Sequence, residues 1–112
     1  IPHLGISNTL RASLLLWAKT LAGEVAADGV TVNTVLPGRI HTDRVDQIDA
    51  AAAKNQSKDI EQVRAESRAS IPMGRYGTAD EYAQVVAFLA GEGAAYVTGS
   101  VIRVDGGFIK GA

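Results

Sequence analysis

Two polar side chains four residues apart, Ser7 and Arg11, open the run SNTLRASLLLWAKTLAGE, Ser7 to Glu24. Residues at that spacing meet on a helix surface. The run has no Pro and no Gly before Gly23, which favours helix. Leu10, Leu14, Trp17 and Leu21 mark one greasy face, and Ser7, Arg11, Ala18 and Ala22 a narrow neighbouring one. Two readings stand side by side. One is an ordinary amphipathic core helix with Arg11 snorkelling to water. The other is a helix packed on its apolar side whose small polar face meets a ligand. A serine hydroxyl is a weak acid, and an arginine is always charged with several donors to offer. Such a pair suits holding polar groups better than giving up a proton unaided.

A second segment with chemical promise is Pro37-Gly38-Arg39-Ile40-His41-Thr42. It follows VTVNTVL, Val30 to Leu36, which is largely β-branched and reads as a strand. A turn at the C-terminal end of a strand is where α/β folds bind ligands, although a tight turn alone would use the same residues. Arg39 and His41 fall at the same crevice. A lone His favours a surface role, and His3 is a weaker candidate still.

The elements that must carry these residues can be read around them. Ser7 or Asn8 is a candidate cap for the first helix, which is expected to run to about Ala27 and stop at Asp28-Gly29. Apolar residues on both faces of Val30 to Leu36 suit a strand covered on both sides, as in a parallel sheet. Thr42 to Ser70 is polar and alanine-rich. Val45, Ile48 and Ala52 form one weak helical stripe and Ile60, Val63 and Ser67 another, separated by Asn55-Gln56-Ser57. Two modest surface helices are expected there, mobile because so little is apolar. Ile71 to Gly77 is a turn-rich link. Thr78-Ala79-Asp80-Glu81 is a capping box, and the helix it opens is expected to bury Tyr82, Val85, Val86 and Leu89 before ending near Ala90. Ser100 to Val104 reads as a second strand, closed by Asp105-Gly106-Gly107.

The chain has 112 residues, 46% hydrophobic and 21% charged, enough for one core and one domain. The formal charge is −1 with no cluster of Lys and Arg, which argues against nucleic acid or an anionic membrane as partner. There is no cysteine, so neither a disulfide scaffold nor a thiolate metal site is available, and no metal is expected. That composition is compatible with the cytoplasm. The helix–strand–helices–strand order implies an α/β fold with parallel strands. Two parallel strands are not a stable sheet by themselves. The missing strands are expected before Ile1.

At this point the motifs resemble those of the short-chain dehydrogenase/reductase family. VNTVLPGRIHT (Val32 to Thr42), IPMGRYGTADEYAQVVAFLA (Ile71 to Ala90) and AAYVTGSVIRVDGG (Ala94 to Gly107) match three of its segments in order. The 3-oxoacyl-carrier-protein-reductase-like subgroup looks nearest. The resemblance implies that residues 1–112 are the C-terminal half of a doubly wound Rossmann sheet with helices on both faces. The glycine-rich dinucleotide loop, the residue choosing NAD or NADP, and the catalytic Ser would lie in an absent N-terminal half. It implies that the Ile40 backbone meets the nicotinamide carboxamide, that Thr42 bonds the carboxamide or a phosphate, and that Pro37 and Gly38 flank the same crevice. It also implies a homodimer or homotetramer built on the faces of 7–27 and 78–90, with Trp17 in core or interface.

The family carries Tyr-x-x-x-Lys on the first helix. Counting back without gaps from Glu24, Ser7 takes the Tyr position and Arg11 the Lys position. A phenol can be brought toward working pH by a neighbouring cation, whereas a serine hydroxyl cannot readily act as the acid. Three functions follow. The first is an NAD(P)-dependent oxidoreductase acting on a small carbonyl or alcohol, with a relayed proton, Arg11 holding ribose hydroxyls and Ser7 at the acid's place. The second is a non-catalytic relative that binds a nucleotide or assembles with partners. The third is that this chain alone is inactive and works only with its N-terminal half.

Overall fold

A computed structural model of the chain describes residues 5–110. His3 lies outside them. The chain divides into two compact units, Ile1–Val35 with Ala87–Ile102, and Leu36–Val86 with Arg103–Ala112. Its helices are α1 (Gly5–Val25), α2 (Asp43–Gln56), α3 (Ile60–Ser70) and α4 (Ala79–Ala90), and its strands β1 (Thr34–Pro37) and β2 (Val101–Val104). The strands pair as one two-stranded sheet. The Thr34 N–H donates to the Ser100 carbonyl at 2.9 Å, and the Gly38 N–H to the Val104 carbonyl at 2.9 Å. Equal steps along both partners make the pairing parallel, as expected.

In the first unit α1 begins at Gly5, so Ser7 and Asn8 sit inside the helix and not at its cap. A short 3-10 turn over Ala26–Asp28 ends it, and Gly29 closes the turn at φ 76, a backbone shape that a side chain would strain. The buried residues of α1 are Ala18 and Ala22, whose small side chains admit close approach. The expected greasy face is otherwise placed. Leu10, Leu14 and Trp17 are exposed, Trp17 at 59%, and so is Leu16 at 73%. The reason is geometric: the narrow Ala face packs inward, which turns the leucine face toward solvent. The Lys19 ammonium donates to the Gly99 carbonyl at 3.2 Å.

The first strand is shorter than expected, because side chains interrupt the ladder over Val32 and Asn33, although the Val32 carbonyl still accepts from the Gly99 N–H at 2.8 Å. The Val32 N–H donates to the Thr98 hydroxyl at 3.0 Å. The Asn33 amide donates to the Val97 carbonyl at 2.9 Å and accepts from the Ser100 N–H at 3.1 Å. Both strands are at most half-buried, so neither is covered on both faces among the described residues.

In the second unit the capping box forms as read. The Thr78 hydroxyl accepts from the Glu81 N–H at 3.1 Å, while Glu81 accepts from the Thr78 N–H at 2.9 Å. The expected burial along α4 does not follow: Tyr82, Val85 and Leu89 are half-buried and Val86 is exposed. Two helices do occupy 43–70, broken at Ser57 with φ 53. The buried stripe of α2 is Val45, Asp49 and Ala53, not Val45, Ile48 and Ala52. Apolar pattern alone passes over an aspartate, yet strict four-residue spacing selects it.

Candidate active site

Ser7 and Arg11 lie on α1 in the first unit, Ser7 half-buried and Arg11 exposed. Pro37, Gly38, Ile40 and Thr42 lie together in the second unit, from the end of β1 to the start of α2. A Cβ on Gly38 would stand 2.6 Å from Asp105 Cβ and 2.7 Å from its Cα. The glycine therefore lets the end of β1 lie against the turn that follows β2. That turn is held by Asp105, whose carboxylate accepts from the N–H groups of Gly107 and Ile109, each at 3.0 Å. The structural role expected for Asp105, Gly106 and Gly107 is thus met. Tyr96, in the segment before β2, is fully exposed.

Beyond Gly38 the chain forms a parallel bridge, Ile40 to Gly77. The Gly77 N–H donates to the Arg39 carbonyl and the His41 N–H to the Gly77 carbonyl, both at 2.9 Å. In this pattern the N–H and carbonyl of Ile40 itself point to the opposite side. Gly77 is needed for the approach, since a Cβ there would meet Ile40 Cδ1 at 2.9 Å. Thr42 caps α2 by accepting from the Val45 N–H at 3.3 Å, which leaves its own O–H free to donate. His41 is exposed and lies 3.2 Å from Asp46, the surface role expected of it.

A cavity of about 100 Å³ adjoins this segment, lined by Arg39, Ile40, Met73, Arg75, Glu81 and Asp105 among others. Arg75 is committed to Glu81 by two bonds of 2.8 Å. That guanidinium, and then the Thr78 amide, hold the Glu81 carboxyl down at about 2.

One cluster was missed from the sequence. Asp49 is 1% exposed, the most deeply buried polar side chain described. Its Oδ2 accepts from the Tyr76 phenol at 2.9 Å. Arg39 stands 3.7 Å from Oδ1 and Arg64 3.7 Å from Oδ2. Arg64 also bonds Asp46 at 3.1 Å and Glu61 at 3.2 Å. Burial raises the Tyr76 phenol above its ordinary value; a bond with Ser67 opposes this and Asp49 adds to the rise. The spacing Val45–Asp49–Ala53 was the available signal. No group of metal-ligating side chains occurs among the described residues, and no helix there is long and apolar enough to cross a membrane.

Residues 1–109 match the family described as enoyl-(acyl carrier protein) reductase. The chain is 44% identical to the 3-oxoacyl-(acyl-carrier-protein) reductase FabG of Escherichia coli (strain K12) over 97 residues, 87% of this chain and 35% of that protein. Its structure is similar to that of YwfH, an NADPH-dependent reductase involved in bacilysin biosynthesis, with a TM-score of 0.87 and 36% identity, covering 93% of this chain and 39% of that one. It is also similar to a substituted actinorhodin polyketide ketoreductase with NADPH, with a TM-score of 0.90 and 30% identity, covering 96% of this chain and 41% of that one. The chain thus spans little more than a third of the length of these relatives. With its α/β order, parallel strands and three ordered motifs, it belongs to the short-chain dehydrogenase/reductase family, in the group described as enoyl-(acyl carrier protein) reductase.

Proposed function

We propose that the full-length protein is an NAD(P)-dependent oxidoreductase that reduces or oxidises a small carbonyl or alcohol, with 3-oxoacyl compounds the first class to try. The observation that carries this reading is the unspent backbone edge of Ile40. Its N–H and carbonyl have no partner among the described residues, and they follow the strand-end turn where α/β folds bind ligands. A carboxamide needs one acceptor and one donor in that geometry, and the free Thr42 O–H adds a second donor. The residues present therefore fit a nicotinamide, which when bound supplies the hydride. Arg11 holds ribose hydroxyls in this reading. Ser7, at the place of the family's Tyr, passes a proton only through water or another group.

An N-terminal half carrying the dinucleotide loop belongs to the same reading, as do a cytoplasmic location and a homodimer or homotetramer using α1 and α4. The exposed Leu10, Leu14 and Phe88 support the assembly, since such side chains are usually covered. A monomer by light scattering at micromolar concentration would count against it.

The test is NAD(P)H binding by fluorescence and cofactor oxidation with a panel of ketones. Turnover that falls about tenfold or more in Arg11→Gln is expected. No binding and no turnover would end the proposal. Binding without turnover, with activity gained by joint Ser7→Tyr and Arg11→Lys substitution, would instead favour a non-catalytic nucleotide-binding relative.

A further inference from the structure

A buried carboxylate is costly unless its charge is met and its oxygens are bonded. A well-packed apolar cluster in place of Asp49 and all its partners would be at least as stabilising. What an aspartate adds there is direction. Its partners come from separate segments of the second unit: Arg39 from the turn after β1, Arg64 from α3, and Tyr76 from the link before α4. Arg39 and Tyr76 directly flank the bridged pair Ile40 and Gly77. Asp49 thus draws on a side chain from each strand of that bridge, one by charge and one by hydrogen bond. The Arg39 guanidinium makes no hydrogen bond among the described residues, so the carboxylate of Asp49 is what it answers to.

We propose that Asp49 is a positioning residue: acting through Arg39 and Tyr76, it fixes the bridge at Ile40 and so sets how well the Ile40–Thr42 edge receives the nicotinamide. This rests on the oxidoreductase reading for its consequence, though not for its geometry. The α2–α3 pair, which looked like a polar surface appendage, becomes the back wall that holds the cofactor edge in register.

Two readouts test it in the full-length protein. The first is amide hydrogen exchange in Asp49→Asn, which preserves shape and an oxygen for Tyr76 but removes the charge that Arg39 meets. The amides of His41 and Gly77 are expected to exchange at least tenfold faster, with α3 and α1 unchanged. The second is steady-state kinetics, where KM for the cofactor is expected to rise at least fivefold with kcat within twofold. Arg39→Gln is expected to give the same changes, and the double substitution no more than either alone. Asp49→Leu, which removes the charge and also leaves the Tyr76 phenol without its acceptor, is expected to lower the melting temperature and to show the same loss of cofactor affinity. Unchanged exchange at His41 and Gly77, or a uniform increase across 36–86, would overturn the proposal. If the unsubstituted protein neither binds nor oxidises NAD(P)H, the oxidoreductase reading falls, and the exchange measurement still decides the role of Asp49.

Discussion

Gly38 leaves no room for one more carbon. The nearest atoms to an added Cβ belong partly to the backbone of Asp105, which cannot rotate aside as a flexible side chain would. Gly38→Ala is therefore expected to lower the stability of this chain by about 2–3 kcal/mol, the usual cost of overpacking, as read from urea unfolding midpoints. The Pro-Gly pair was visible in the sequence as a turn at a strand end. That the glycine faces the Asp105 turn was not, because the two are far apart in the chain. Asp49 was invisible for another reason. Hydrophobic patterning ranks residues by transfer from water, and a buried carboxylate answered by Arg39, Arg64 and Tyr76 is an exception that only its partners reveal. Ser7 and Arg11 stood out by their spacing alone.

Local signals did best at the level of elements. The α4 start at Thr78 and Glu81, the break near Ser57 and the Gly29 stop all follow from residues adjacent in sequence. The capping box carries a pH signature. The Glu81 carboxyl falls from an ordinary 4.5 to about 2 on folding, chiefly through Arg75. A depressed carboxyl contributes stability that is complete above its unfolded value and lost as pH falls through its folded one. Stability is thus expected to decline between about pH 4.5 and 2, and Glu81→Gln to flatten that part of the profile in melts recorded across the range. Strand lengths were read less well. Val30 to Asn33 has the composition of a strand, but the Val32 N–H bonds the Thr98 hydroxyl and the Asn33 side chain bonds the Val97 carbonyl, which interrupts a regular ladder.

Across the whole molecule, element order and parallel pairing were legible, whereas depth of burial was not. Burial depends on what surrounds a side chain, and this chain spans 35% of a relative such as the Escherichia coli reductase. Periodicity identified an apolar face on α1 correctly as a face, and could not say which neighbour covers it. In the reading proposed above, the rest of the sheet and a second subunit do so. A contrast follows for this chain. Ala22, 3% exposed, is expected to reject Leu at a cost of about 2 kcal/mol, while Leu16→Gln stays within about 0.5 kcal/mol. Denaturant melts of the two variants compare them directly, and a large loss for Leu16→Gln would mean that α1 packs by its other face.

Asn33 ties two neighbouring stretches with one planar group, giving a proton to Val97 and taking one from Ser100. Its two ends are chemically different, so the pair of bonds works in one alignment only. A slip by a single residue would present an amide where an oxygen is wanted. Since such a slip would also swap the inner and outer faces of the strand, this side chain serves as a key that admits one alignment of the two strands and turns away the next.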